Sequence, residues 1–201
     1  MMNPKNGYFD DTYTDDSMTN DFTLFVRVKL NHDKLSKTDK FIISRSGAHS
    51  GISALTDLYE FTSYIQYSYW FWDNNTATPK LDVKQVHHKI EDKDFDSYMD
   101  LALIHSKEQR IIFCYYNGKV VGEISYKEDE LPALYDNAPY WFGCGSMLLD
   151  GEKQIGEYEY DLAFSVRTVL DIDEIKDITE NYKTKYCETI FEDTSLEYYT
   201  Y

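Results

Sequence analysis

The amino-acid sequence predicts an all-β sandwich that ends in one short helix. Apolar and polar residues alternate in many short segments, such as residues 22–30 and 160–166, and this period of two is typical of strands with one buried face. Asn117-Gly118 lies between two β-rich segments and is a strong hairpin signal, because both residues accept positive φ in a type I′ turn. Many short strands followed by one late helix favour a sandwich over an α/β fold.

The alternation places the strands in chain order. The aromatic stretch 59–72 should hold one or two strands, closed by the turn residues 73–75. A polar turn at residues 106–109 separates two further strands. The predicted strands are residues 22–30, 41–44, one or two within 59–72, 81–84, 101–104, 111–116, 119–126, one that opens at Trp141, and 160–166.

The helix is predicted near the C-terminal end of the sequence. Ile172, Ile175 and Ile178 recur at helical spacing. Asp171, with Glu174 three residues later, resembles a capping box in which the aspartate is the N-cap. We therefore expect a short helix that begins just after Asp171.

The charge balance and the cysteines exclude several classes of protein. The 201 residues include 36 acidic and 20 basic ones, a formal net charge of −16, whereas nucleic-acid binding needs Lys and Arg to displace counterions from phosphates. No stretch approaches the ~18 apolar residues of a membrane helix, and we expect no signal peptide at the polar N-terminus. The number and spacing of the three cysteines, Cys114, Cys144 and Cys187, fit neither a zinc site nor a disulfide framework. We therefore expect buried free thiols, in a protein that is made in a reducing cytoplasm.

Five segments, spread over most of the chain, carry a family resemblance. They are DFTLFVRVK at residues 21–29, FIISRSG at 41–47, the hairpin region 98–122, YWFGCG at 140–145 and the closing region 158–182. In this order they resemble the concanavalin A-like lectin/glucanase superfamily, in its laminin-G-like branch. The resemblance implies a two-sheet antiparallel jelly-roll sandwich, with one short C-terminal helix.

The last part of the same resemblance concerns the source of the protein. The string ITENYKTKY at residues 178–186 is similar to the terminal segments of laminin-G-like domains in bacteriophage virion structural proteins. It implies a virion protein made in the host cytoplasm. The expected organisation is an N-terminal arm at 1–20, a laminin-G-like β-sandwich domain at 21–186, and a C-terminal tail or edge strand at 187–201.

The superfamily also includes glycoside hydrolases, in which two nearby carboxylates act as nucleophile and general acid. The nearest string here is EYEYD at residues 157–161, and Leu162, Ala163 and Phe164 follow where a last acid would be needed. Because a fold alone does not supply function, we expect no enzymatic activity, with a glycoside hydrolase as the least favoured alternative.

The aromatic stretch and the turn after it supply the best binding candidates. Lectins stack sugar rings on aromatic faces and orient the hydroxyl groups with amide and carboxylate side chains. The candidate glycan-binding residues are Tyr64, Gln66, Trp70, Trp72, Asp73, Asn74 and Asn75. The competing interpretation is that these rings fill the core or a subunit contact, because large aromatic side chains are normally buried.

Asp92, Asp94 and Asp96 form an alternating acidic run that is a candidate calcium site. An EF-hand loop would continue with glycine at position six and glutamate at position twelve, but Ser97 and Leu103 stand there. A looser calcium site is the hypothesis, and a solvated acidic loop is the alternative.

Together with these residues, the resemblance implies a non-catalytic virion protein, such as a tail, fibre or capsid-decorating component, that binds host surface glycans. The expected partners are other virion proteins, further copies of the chain and a host glycan, with neither nucleic acid nor membrane insertion. Weak single sites would become effective through many copies. The alternative is a purely architectural virion subunit that binds no glycan.

Overall fold

The computed structural model of the chain describes residues 2–3, 8–9, 21–31, 40–45, 50–57, 62–73, 80–132, 140–142 and 158–182. The chain divides into two compact units, Met1–Val169 and Leu170–Tyr201. Of the predicted arm, only residues 2–3 and 8–9 are described, and the tail 187–201 lies outside the described residues.

The described secondary structure of the first unit consists of strands and one 3₁₀ turn. These strands are β1 (Met2–Asn3), β2 (Tyr8–Phe9), β3 (Phe22–Leu30), β4 (Lys40–Arg45), β5 (Ser50–Asp57), β6 (Thr62–Asp73), β7 (Lys80–Lys89), β8 (Tyr98–Ser106), β9 (Ile111–Tyr116), β10 (Lys119–Ser125), β11 (Glu130–Pro132), β12 (Tyr140–Phe142) and β13 (Tyr158–Val166). A 3₁₀ turn, Asp92–Asp94, separates β7 from β8.

The strands form two antiparallel sheets, which confirms the predicted all-β sandwich. The larger sheet has eight strands, six of which follow one another in the order β1-β2-β12-β4-β5-β6. One side of β6 pairs first with β5 and then with β11, and the other side pairs with β7. The smaller sheet has five strands in the order β10-β9-β8-β3-β13. Strands β5 and β11 were not predicted, and β7 is longer than the predicted 81–84.

Alternating side chains of both sheets form one apolar core. In β6, the alternate residues Ile65, Tyr67, Tyr69 and Phe71 belong to this core. The core residues of β3 are the apolar members of its alternation, from Phe22 to Leu30. Each sheet therefore has one core face and one outer face. Cys114 is a buried free thiol, and burial raises its pKa.

Lys84 is a charged side chain on the core-facing side of β7. It shares the parity of Val86, which packs against the core cluster. Its Nζ donates to Glu130 Oε2 at 2.6 Å and to the Ser125 carbonyl at 3.0 Å. Burial alone would raise the pKa of Glu130, but hydrogen bonds from Lys84 and the Lys127 amide outweigh it and lower this pKa. Lys84 thus joins β7 to the end of β10 and the start of β11.

The hairpin between β9 and β10 has the predicted two-residue turn. Asn117 and Gly118 have φ angles of 44° and 83°, and Tyr116 pairs with Lys119 across the turn. The turn is also tied to β8, because Asn117 N–H donates to the Asp100 carbonyl and Asn117 Oδ1 accepts from the Asp100 amide, both at 2.8 Å.

Replacing Asn117 by alanine is therefore expected to destabilise the fold by about 1–2 kcal/mol, because it loses one hydrogen bond and keeps a left-handed backbone unfavourable to alanine. Asn117→Gly is the matched control, since it removes the same bond without that backbone cost. Urea unfolding of both variants measures the difference. Equal destabilisation of the two variants would contradict the backbone contribution.

The second unit contains one described helix, α1 (Ile172–Asn181). Asp171 Oδ1 accepts from the Glu174 amide, and Glu174 Oε2 accepts from the Asp171 amide, both at 2.8 Å. This reciprocal pair is the predicted capping box, which satisfies two amides at the helix N-terminus. Within the described residues, no helix is long and apolar enough to cross a membrane.

Candidate functional site

Two of the predicted glycan-binding residues, Tyr64 and Gln66, lie together on the outer face of the larger sheet. Ile65 and Tyr67 belong to the core, so alternation along β6 places Tyr64, Gln66 and Ser68 on the opposite face. Tyr64 is half-buried, whereas Gln66 is buried. The sheet therefore separates the candidates for binding from the residues that hold the sandwich together.

Strand register extends this face across β5, β6 and β7. Gln66 pairs with Ser53 on one side and His87 on the other. Ser68 pairs with Gly51 and Gln85, and Tyr64 pairs with Leu55 and Lys89. We call Ser53, Tyr64, Gln66, Ser68, Gln85 and His87 the polar patch.

An exposed imidazole is held by a buried amide within the polar patch. Gln66 is only 5% exposed, and its Oε1 lies 2.9 Å from His87 Nε2. Because an amide oxygen only accepts, Nε2 is the donor in this contact. The Tyr64 ring lies beside the imidazole, with 6.2 Å between ring centroids. The amide of Gln66 and the ring of Tyr64 thus orient the exposed ring of His87.

Small polar side chains form the floor of the polar patch. Ser53 and Ser68 are buried, at 0% and 2% exposure. None of the described residues supplies a hydrogen-bond partner to Ser53 Oγ, and a buried hydroxyl without a partner is costly. The floor is therefore polar, and the accessible groups of the patch are His87 and Gln85, which are exposed on β7.

The other predicted glycan-binding residues are only partly described. The backbone of Trp70, Trp72 and Asp73 belongs to β6 and pairs with β7 at Val83, Leu81 and Lys80. The side chains of these three residues, and all of Asn74 and Asn75, lie outside the described residues. The structure thus brings together Tyr64 and Gln66, and the remaining five residues stay sequence predictions.

Sequence reasoning missed Ser53, Gln85 and His87. His87 is 21 residues from Gln66, so the pair becomes visible only when the register of β6 and β7 is known. A signal was present in β5, where Ile52 and Ala54 of the core alternate with Gly51 and Ser53.

The acidic run at 92–96 has structural roles in its described contacts. Asp92 and Asp94 bound the 3₁₀ turn, and Asp94 Oδ2 accepts from the Tyr116 hydroxyl at 2.8 Å. Asp96 has a φ of 61°, and its amide donates to the Leu30 carbonyl at 3.3 Å. Among the residues that the structure describes, no three His, Cys, Asp or Glu side chains form a group that could hold a metal ion. The calcium site stays a sequence prediction, without a described cluster to support it.

The acidic string of the hydrolase alternative lies on β13, apart from Glu157, which is outside the described residues. Glu159 lies 3.7 Å from Lys29, and Asp161 lies 3.9 Å from Arg27. The Arg27 guanidinium also makes a two-pronged contact with Asp100, at 2.6 and 2.9 Å. The described acids of this string are therefore members of ion pairs.

His88 lies near the 3₁₀ turn, with its ring centroid 4.3 Å from that of Tyr116. Burial lowers the pKa of His88, although the nearby carboxylates of Asp94 and Glu91 act in the opposite direction. The stability that depends on a neutral His88 is fully present above the unfolded-state pKa of about 6.5. It is lost as the pH falls from there through the lower pKa of the folded state.

We expect His88→Gln to reduce the loss of stability between pH 7.5 and pH 5 by about 0.5 kcal/mol, a small effect because water screens this partly exposed ring. Urea unfolding of the wild-type chain and the variant at both pH values measures it. An unchanged difference between the two pH values would contradict this assignment.

Comparisons with known proteins show the fold. No protein-family model matches the chain, and no curated protein matches it. Solved structures do match. The botulinum neurotoxin serotype D binding domain is similar with a TM-score of 0.55 at 10% identity, over 85% of this chain and 40% of that one. The heptameric SAP-like pentraxin from Limulus polyphemus has a TM-score of 0.51 at 12% identity, over 79% and 69%.

A third match is the binding domain of botulinum neurotoxin DC in complex with SialylT, with a TM-score of 0.51 at 12% identity, over 83% of this chain and 37% of that one. The chain thus spans about two fifths of the length of the neurotoxin binding domains that it matches. At this identity the likeness concerns the fold alone. The chain has the concanavalin A-like sandwich fold that its sequence predicts.

Proposed function

We propose that this chain is a non-catalytic glycan-binding module that binds sugars at the polar patch. The observation that carries the proposal is the exposed imidazole of His87, which is oriented by the buried amide of Gln66 at 2.9 Å and flanked by the Tyr64 ring. Support also comes from a match of similar fold, a neurotoxin binding domain that was solved in complex with SialylT.

The chemistry of the polar patch suits sugar hydroxyl groups. His87 and Gln85 are exposed, and together they offer hydrogen-bond donors and acceptors. Tyr64 adds a flat ring at the side, against which the apolar face of a sugar can pack. Trp70, Trp72 and the residues 73–75 remain candidates, because they continue the same strand and its end. A shallow site of this kind binds weakly as a single copy.

We propose a bacteriophage virion as the setting, with the chain in a tail, fibre or capsid-decorating component. The support is the sequence resemblance at residues 178–186 to phage laminin-G-like domains. Many copies on one particle would raise the effective concentration of weak sites, and avidity can exceed single-site affinity by about 10²–10⁴. Other virion proteins and further copies of this chain are then its structural partners.

The test is a glycan array probed with the full chain displayed on a multivalent carrier. His87→Ala should weaken binding at least 10-fold, because it removes an oriented polar group from the patch. Glu123→Ala is the matched control, since Glu123 is exposed on β10 of the other sheet, and it should bind as the wild-type chain does. Absence of binding to every glycan, or equal binding by all three proteins, would contradict the proposal. Thermal unfolding confirms that the variants are folded.

An architectural role is the second candidate, because β7 offers an edge to a neighbouring subunit. Within the described residues, the backbone of this ten-residue strand pairs with no strand other than β6, and such an edge can pair with another chain. A chain that forms stable oligomers in solution and binds nothing on the array would favour this role.

A further inference from the structure

We infer that the polar patch selects uncharged glycans and discriminates against sialylated and sulfated ones. This inference rests on the proposed glycan binding and goes beyond it by naming the class of ligand. It also separates this chain from the neurotoxin domain that was solved with SialylT.

The first argument is the chemistry of the patch itself. Its six residues are hydroxyl, amide, phenol and imidazole side chains, and none is an arginine, a lysine or an acid. Recognition of a carboxylate or a sulfate is strongest with a guanidinium, which presents two parallel N–H donors. Neutral hydroxyl groups need no such cation, since amide and imidazole groups both donate and accept. The patch therefore matches a polyhydroxyl ligand without a formal charge.

The second argument is that several described cations of the first unit already contact acidic side chains. Arg27 is held by Asp100, Lys84 by Glu130, and Arg110 lies 3.3 Å from Glu128. An arginine that already contacts a carboxylate is poorly placed to bind a second anion. Beside the polar patch, the register pairs Lys89 with Tyr64, and this exposed lysine lies on the same face of β7 as His87. It is one ammonium, which cannot make the two-pronged contact of a guanidinium.

The third argument is the field of the whole chain. Its net charge of −16 repels an anionic ligand before contact, and salt screens this repulsion over about 8 Å at physiological ionic strength. Multivalent display adds the charge of each copy. A sialylated glycan thus meets a repulsive field and a patch whose six residues include no cation, with the one ammonium of Lys89 beside it, whereas a neutral glycan meets no such repulsion.

The experiment compares paired glycans, each neutral glycan beside the same glycan with a terminal sialic acid, including lactose and sialyllactose. The full chain is displayed on a multivalent carrier, at 20 mM and 500 mM NaCl. We expect the neutral member to bind at least 10-fold more strongly than the sialylated member at low salt. At high salt this neutral-to-sialylated binding ratio should be smaller but still above one, because salt screens only the long-range repulsion. Equal or stronger binding of the sialylated members overturns this inference and leaves the proposed function intact. Absence of binding to both members overturns the proposed function, and this inference with it.

A variant that adds a cation to the polar patch tests whether the lack of one within the patch disfavours sialylated glycans. Gln85→Arg places a guanidinium on the exposed margin of the patch and should reduce the neutral-to-sialylated ratio several-fold. Gln109→Arg is the control, because it makes the same change in net charge in the exposed turn between β8 and β9. If both variants change the ratio equally, the field of the whole chain determines selectivity, and the part of the inference that assigns selectivity to the patch is wrong.

Discussion

Tyr67→Ala is expected to destabilise the fold by about 3–5 kcal/mol, the usual cost of deleting a large buried ring. Tyr67 is fully buried in β6 and belongs to the core cluster. Its hydroxyl donates to the Tyr115 carbonyl in β9 at 2.6 Å, so one side chain joins the two sheets. The measurement is the free energy of unfolding in urea.

Tyr67→Phe separates the ring from the hydrogen bond. It keeps the packing but leaves the buried carbonyl of Tyr115 without this donor, so we expect a loss of about 1–2 kcal/mol. Ile65→Val, in the same strand and also fully buried, is a matched core control with an expected loss of about 0.5–1.5 kcal/mol. If Tyr67→Ala were no more destabilising than Tyr67→Phe, the ring would contribute nothing and the packing argument would fail.

Gly122→Ala is expected to destabilise the fold by about 1–3 kcal/mol, the cost of overpacking. A β-carbon at Gly122 would lie 2.6 Å from Cγ1 and 3.3 Å from Cγ2 of Val86. Gly122 is in β10 and Val86 is in β7, so this glycine lets edge strands of the two sheets approach each other. Valine is stiff about χ1, and it cannot turn away at no cost.

The double variant Gly122→Ala/Val86→Ala tests the mechanism, because Val86→Ala removes both close carbon atoms. We expect the double variant to be more stable than the sum of the single effects predicts, by at least about 1 kcal/mol of coupling. Additive losses would show that the clash is not the cause. Gly118→Ala is a useful contrast, since a β-carbon there meets no atom within 4 Å and its cost is that of the left-handed backbone.

Local patterns were sufficient for most of the described fold. The alternation of β3, the Asn117-Gly118 turn and the capping box at Asp171 are short-range signals, and all three are confirmed. β5 was missed because its glycine, alanine and aspartate residues have weak strand propensity. β7 was predicted too short because the exposed residues of its outer face, such as Gln85 and His87, make its C-terminal half look polar.

The candidate site was harder to predict than the fold. Tyr64 and Gln66 share a face for a local reason, the alternation of β6, and so they could be read from the sequence. His87 joins them only through the pairing of two strands, and Ser53 joins from a strand that was not predicted. Contacts that depend on register are set by packing over the whole sheet, and local patterns do not specify them.

The ammonium of Lys84 has a consequence for binding as well as for stability. Core-facing and outward-facing residues alternate along β7, so a slip of one position against β6 would turn His87 towards the core and Val86 towards solvent. Such a slip would also break the contacts of Lys84 with Glu130 and Ser125. The ion pair between Lys84 and Glu130 thus helps to fix the register of β7 against β6. A contact on the core-facing side of β7 thereby determines which side chains are exposed on its outer face.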